Sequence, residues 1–151
     1  MGLIIFDLDG TLVHLGVNYG ALRREIFNIT GRREVLSGSL AGFLLSLPAE
    51  ARERAFRVMD RYEAEAISHM RVDPTLGTAF KKIRTHTKAL VTLQGRRPTE
   101  IILRKVGLLE EFSTIVTRED SLVRKEQLTL VLRRLCFESG AVVFIAEKEN
   151  D

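Results

Sequence analysis

Two aspartates one residue apart, Asp7 and Asp9, stand in the segment Asp7-Leu8-Asp9-Gly10-Thr11. Directly before them runs Gly2-Leu3-Ile4-Ile5-Phe6, a short apolar stretch that reads as a buried strand ended by a turn. Residues i and i+2 of an extended segment project to the same side, so both carboxylates emerge together where that strand ends. Two adjacent carboxylates repel, and the pair is comfortable only with a bound cation or with one acid protonated. One acid can then act as nucleophile and the other as general acid and base. Gly10 permits the sharp turn that aims them. The same residues also suit a plain surface Asp-Gly turn, and the motif alone does not choose between the two.

Further chemistry-bearing residues fall at the ends of later apolar runs. Thr92 closes the run Ala89 to Thr92, where a hydroxyl and the following backbone N–H groups are placed to hold phosphate oxygens. Lys125 opens a helical stretch after a loop, a good position for an ammonium beside an anion. Glu147 and Asp151 follow the last apolar run, Ala141 to Ala146, adding oxygen ligands of the kind Mg²⁺ takes. Each has an ordinary explanation singly: a strand-ending threonine, a solvated lysine, a polar tail. Jointly they set a nucleophile, a hydroxyl, an ammonium and metal ligands at successive strand ends, where open parallel sheets bind their ligands.

The elements that must position these groups follow from the periodicity. From about residue 17 to 71 the pattern is helical, with Leu22, Ile26 and Ile29 on one face and Leu36, Leu40, Phe43 and Leu44 on another. Phe56, Met59, Ala66, Ile67 and Met70 stripe a longer helix begun at Pro48. Beyond Asp73-Pro74 the spacing predicts a helix over Thr75 to Thr85 and a strand over Ala89 to Thr92. A helix over Pro98 to Val106 follows, stopped by Gly107, then a strand over Ser113 to Thr117. Lys125 to Leu135 reads as a helix and Ala141 to Ala146 as a strand. Short strands alternating with helices of about ten residues predict an α/β fold with a parallel, Rossmann-like sheet flanked by helices. The expected division is a core of residues 1–15 and 72–151 with a helical insertion over 16–71.

Composition narrows the classes. The chain has 151 residues, 45% hydrophobic and 28% charged, which suits a folded domain and not a disordered one. Net charge is +3, the pI of 9.3 coming from arginines spread along the chain, and aromatic residues are 7% with no Trp. Scattered arginines without aromatic interleaving predict a solvated face and no nucleic-acid partner. One cysteine, Cys136, leaves no disulfide framework and no cysteine-built zinc site. The longest uncharged stretch, Val35 to Ala49, is shorter than the ~20 residues of a membrane span. With no targeting pattern at the start, the expectation is a cytoplasmic protein without a membrane partner.

On these residues the sequence resembles the haloacid-dehalogenase superfamily of phosphohydrolases: the DxDGT opening, the strand-ending Thr92, the isolated Lys125 and the terminal acidic motif. The stretch from Leu76 through Thr92 to Phe112 is similar to the phosphoglycolate-phosphatase-like branch, and the insertion resembles that family's cap. The resemblance implies a Mg²⁺-dependent phosphatase acting on a small phosphorylated metabolite. It casts Asp7 as the nucleophile that becomes an aspartyl-phosphate. Asp9 is the acid that protonates the leaving alkoxide and then deprotonates the attacking water. It implies phosphoryl binding by Asp7, Leu8, Asp9, Thr92, Leu93 and Lys125, and metal binding by Asp7, Asp9, Glu147 and Asp151. His14 and the arginines near the cap are candidate substrate contacts or, more simply, solvated surface.

The pattern departs from the family at three places. Glu147 stands where an Asp is usual, Glu126 where Pro follows the cation, and Leu93-Gln94 where a polar pair is customary. The family core also continues with another helix and strand, so the run Ala141 to Ala146 is expected as an uncovered sheet edge. It would be filled either by chain missing from this sequence or by a partner, with a second copy as one candidate. A non-catalytic phosphate-binding module and a phosphomutase are the alternatives that these residues leave open. A phospho-acceptor receiver domain fits less well, since its acceptor Asp lies on a mid-sheet strand rather than the first.

Overall fold

In the computed structural model, residues 2–147 are described. Along the chain the elements are β1 (Leu3–Phe6), β2 (Val13–His14), α1 (Tyr19–Thr30), α2 (Leu40–Ser46), α3 (Ala49–Ile67), β3 (Arg71–Val72), α4 (Leu76–Lys82), β4 (Thr87–Val91), α5 (Arg96–Val106), β5 (Thr114–Val116), α6 (Arg124–Arg134) and β6 (Val142–Ile145). Short 3₁₀ turns at Arg33–Leu36 and Leu109–Glu111 complete the set.

The predicted parallel sheet is present, four strands in the order β5-β4-β1-β6. β1 is interior, Phe6 opposite Leu90 on one side and Ile145 on the other. Its side chains alternate between two cores, which explains why the whole run is apolar. Leu3 and Ile5 join Ala89, Val91, Val116 and Val131 on one face. Phe6 and Leu8 join Phe80, Leu90, Ile102 and Leu103 on the other. Phe6, Phe80 and Phe112 pack ring on ring there, Phe6 and Phe80 stacked 5.2 Å apart. Helices therefore cover both faces, α6 one and α4 with α5 the other.

The helical insertion builds a third core from Leu22, Ile26, Val35, Phe43, Leu44, Leu47, Ala55 and Met59. Ile29 and Leu36 of the expected stripes leave it, 40% and 44% exposed, while Ala66, Ile67 and Met70 join the sheet's core instead. Ile29 stands in the last turn of α1 and Leu36 ends a 3₁₀ turn. α1 is capped by Asn18, whose Oδ1 accepts from Ala21 N, and α2 by Ser39, whose Oγ accepts from Gly42 N. Val13 pairs antiparallel with Val72 and His14 with Arg71, so the chain enters and leaves the insertion through adjacent strands.

Strand β6 is the sheet edge, and all four of its apolar side chains are exposed, by 38–52%. Among the described residues, no helix is long and apolar enough to cross a membrane.

Candidate active site

The carboxyl ends of β1, β4, β5 and β6 lie on one side of the sheet, and Asp7, Thr92 and Glu147 follow three of them. Asp7 extends the ladder by donating its N–H to Ile145 O at 2.9 Å, and it is 7% exposed. Leu8 N donates to Asp7 Oδ1 at 2.8 Å, and Arg124 Nη2 approaches Asp7 Oδ2 at 3.3 Å. The chain then winds tightly: Leu12 N and Val13 N both donate to Leu8 O. This turn places Leu15 N 2.9 Å from Asp9 Oδ1, which fixes the second carboxylate with one oxygen held. Gly10 carries φ +80°, and a Cβ there would collide with Glu147 Oε2. The positive φ is what calls for glycine here.

These groups open into a cleft of about 1150 Å³ between the sheet and the helical insertion. Asp7, Asp9, Leu93, Gln94, Arg124 and Glu147 line it from the sheet side. Tyr19, Arg23, Leu40, Leu44, Met59 and Glu63 line it from the insertion, with His14 and Arg71 at the paired strands. Arg23 donates to Val35 O at 2.7 Å and Gly38 O at 3.0 Å, so it staples α1 to the following turn. The Tyr19 phenol is pushed up to about 12, first by burial of its hydroxyl end and then by the charges of Asp9 and Glu63.

Lys125 requires a correction. It is exposed and does not line the cleft; among the described residues Arg124 places a cation beside Asp7. The reason is helical phase. Arg124, Gln127 and Val131 share the inward face of α6, while Lys125 is turned about 100° away with Glu126 and Thr129. Gln127 is fully buried; its Nε2 donates to Thr92 O at 2.8 Å and its Oε1 accepts from Arg124 Nη1 at 2.9 Å. The inward face of α6 thus holds both the loop after β4 and the guanidinium.

Thr92 is fully buried and stands behind the cleft wall rather than in it. Its hydroxyl bonds Gln94 Oε1 and accepts from Gln94 N at 3.1 Å. Among the described residues the Leu93 N–H has no hydrogen-bond partner, and Leu93 lines the cleft. Sequence reasoning marked Gln94 only as a departure after Thr92 and missed Tyr19, Glu63 and Arg124. The i, i+3, i+7 set of Arg124, Gln127 and Val131 was the available signal for the last; nothing local marks Tyr19 or Glu63.

Among the described residues no three His, Cys, Asp or Glu side chains gather as a metal cluster, and Asp151 lies outside them. The Asp7 and Glu147 carboxylates line the same cleft, with Glu147 Oε2 lying against Gly10 and its N–H on Thr11 Oγ1. This hard-oxygen set fits Mg²⁺, which is commonly held by one or two carboxylates with phosphate and water supplying the rest.

The sequence matches no protein-family model, and no curated protein matches it either. Solved structures do share its fold. A haloacid-dehalogenase-like hydrolase of Streptococcus pneumoniae superimposes with a TM-score of 0.67 at 16% identity, over 97% of this chain and 76% of its own. A putative phosphoglycolate phosphatase of Lactobacillus plantarum gives 0.69 at 17%, over 95% and 76%. CbbY of Rhodobacter sphaeroides, solved in complex with phosphate, gives 0.66 at 19%, over 94% and 76%. The α/β architecture is that of the haloacid-dehalogenase-like hydrolases.

Proposed function

We propose, from that shared fold and from the cleft's own residues, that the chain is a phosphoric monoester hydrolase acting on a small phosphorylated metabolite. The single observation that carries this is the Asp7 carboxylate. It follows an interior strand, is almost wholly buried, and meets a guanidinium and the Leu8 N–H, with a second fixed carboxylate lining the same cleft.

Asp7 attacks phosphorus through one oxygen while Leu8 N–H fixes the rotamer of the carboxyl group. The P–O bond to the leaving alcohol breaks as the Asp7–phosphoryl bond forms, and Asp9 delivers its proton to the departing oxygen. Asp9 then takes a proton from water, which attacks phosphorus and releases Asp7 and inorganic phosphate. The Leu15 N–H holds one Asp9 oxygen, leaving the other for this traffic. Arg124 and the Leu93 N–H balance charge on the phosphoryl oxygens. A Mg²⁺ held by Asp7, Glu147 and the Asp9 carbonyl would supply charge neutralisation between the two anions. Cavity size favours a small organic phosphate over a folded macromolecule.

The test is hydrolysis of p-nitrophenyl phosphate and a panel of sugar and carboxylic-acid phosphates, with Mg²⁺ or with chelator. Wild type should release phosphate, and Asp7→Asn should lower turnover by at least about 10³-fold, since removing a nucleophile abolishes the covalent route. Phosphate binding without turnover on any substrate would favour a non-catalytic binding module, the reading that Glu147 in place of the family's usual Asp leaves open. Phosphate migrating within a sugar phosphate would mark a mutase.

A further inference from the structure

A buried charge cluster joins the helical insertion to the loop after β4. Arg118, just beyond β5, is 1% exposed although it lies outside the sheet. Its Nη1 bonds Glu63 Oε1 and donates to Leu93 O at 3.2 Å. Its Nη2 bonds Asp60 Oδ1 and reaches Phe56 O at 3.4 Å, with the guanidinium 5.3 Å from the Phe56 ring centroid. One arginine of the sheet layer is therefore held by three residues of α3 and one carbonyl of the loop. Glu63, 2% exposed, divides its oxygens: Oε1 takes Arg118, and Oε2 accepts the Gly95 N–H at 3.0 Å. Gly95 caps the N-terminus of α5, immediately after the cleft-lining Leu93 and Gln94.

Gly95 supplies an independent sign that this contact is built. Its φ of −68° and ψ of 154° suit any residue, so conformation does not demand glycine. Space does: a Cβ there would collide with Asp60 Oδ1 and stand 2.7 Å from Arg118 Nη2. Stability alone does not account for the cluster, because a buried ion group seldom outperforms apolar packing of the same volume. What it does is fix position.

We propose that Glu63 and Arg118 are positioning residues through which the helical insertion sets the loop Leu93–Gly95 against Asp7. The proposal rests on the hydrolase reading for its link to turnover, but not for its link to phosphate binding. With Leu93 O held by Arg118, Gly95 N–H by Glu63 and Thr92 O by Gln127, the loop is pinned on its other sides, and Leu93 N–H is left for the phosphoryl group. Burial pushes the Glu63 and Asp60 carboxyls up, against the pull of Arg118.

The experiment compares full-length wild type, Glu63→Gln, Gly95→Ala and Gly95→Ala/Asp60→Ala. It reads kcat and KM with p-nitrophenyl phosphate, Kd for inorganic phosphate by calorimetry, and folding by circular dichroism. Glu63→Gln should raise phosphate Kd and lower kcat by about tenfold or more each, since a sub-ångström displacement of binding groups is costly. Gly95→Ala should do the same, and the added Asp60→Ala should recover at least a third of the lost phosphate affinity by removing the Asp60 side of the collision, the contact with Arg118 Nη2 remaining. A folded Glu63→Gln with kcat and phosphate Kd within twofold of wild type would overturn the proposal. So would a Gly95→Ala loss that Asp60→Ala leaves untouched, and this pair decides alone if Glu63→Gln does not fold. A wild type that binds phosphate yet turns nothing over sinks the hydrolase reading and leaves positioning to be judged on Kd. A wild type that binds no phosphate sinks both.

Discussion

Arg124 and Lys125 differ by one position and by the whole width of a helix. Of these two, it is Arg124 that reaches Asp7, and it does so while bonded to Gln127, which itself holds Thr92 O. Arg124→Met should therefore lower kcat with p-nitrophenyl phosphate by about 10²-fold, the loss of one charged transition-state contact, with Lys125→Met within about threefold of wild type. Arg124→Lys should recover little of that loss, because an ammonium does not reproduce the fork that spans Gln127 and Asp7. Equal losses at 124 and 125 would sink the assignment. Tyr19 offers a second check. With its phenol pushed up to about 12, it stays protonated throughout pH 6–10. Tyr19→Phe should lower kcat/KM a few-fold, about the worth of one neutral hydrogen bond, and leave the pH–rate profile unchanged in shape. The aspartates were legible because the strand period alone puts Asp7 and Asp9 on one side. The partner cation was not, because a positive charge at a helix start was counted without its phase.

At the level of elements, alternation and breakers sufficed. The strands over Ala89 to Thr92 and Ala141 to Ala146 and the Gly107 stop each match an observed element to within a residue or two. The loop between β5 and α6 was featureless in sequence, yet it is held by charge. Asp120 accepts from Thr117 N at 2.9 Å and pairs with Arg96 and Arg134, each at 2.6 Å. Burial raises its carboxyl, but the Thr117 N–H and then the two arginines outweigh that and hold it below the usual carboxylate range. Its folded value lies below its unfolded value, so its contribution is present above about pH 4 and is lost as pH falls through the folded value. Asp120→Asn should cost about 1 kcal/mol at pH 6, at the low end because both arginines are partly exposed, and progressively less as the pH falls through the folded value of Asp120. Urea midpoints for both proteins across that range measure it; a gap that persists into acid would contradict the assignment. Such a loop is invisible beforehand because its partners come from α5 and α6, brought together only by the sheet.

On the scale of the molecule, the least legible feature was how the helical insertion meets the sheet. Its own core follows from apolar stripes, but Glu63 and Arg118 are 55 residues apart and each looks like one more surface charge. Strand β6, by contrast, was readable as an apolar edge, and it is exposed along its length. Val143→Lys, at the most exposed of its positions, should reduce light scattering by concentrated protein and leave p-nitrophenyl phosphate turnover within about twofold, as a charge on a free sheet edge discourages pairing. Unchanged scattering would show that β6 is not the adhesive surface. The paired strands β2 and β3 have a different consequence. Because the chain departs at Val13–His14 and returns beside itself at Arg71–Val72, the insertion is wired like a plug-in part that leaves the sheet's connections intact when exchanged. The plug nevertheless has a key. A substitute lacking a carboxylate at position 63 would leave the buried Gly95 N–H without its acceptor and take from the buried Arg118 guanidinium one of its two carboxylates. Transplants of this part should therefore succeed only among donors carrying that acid, or into a sheet from which Arg118 has also been removed.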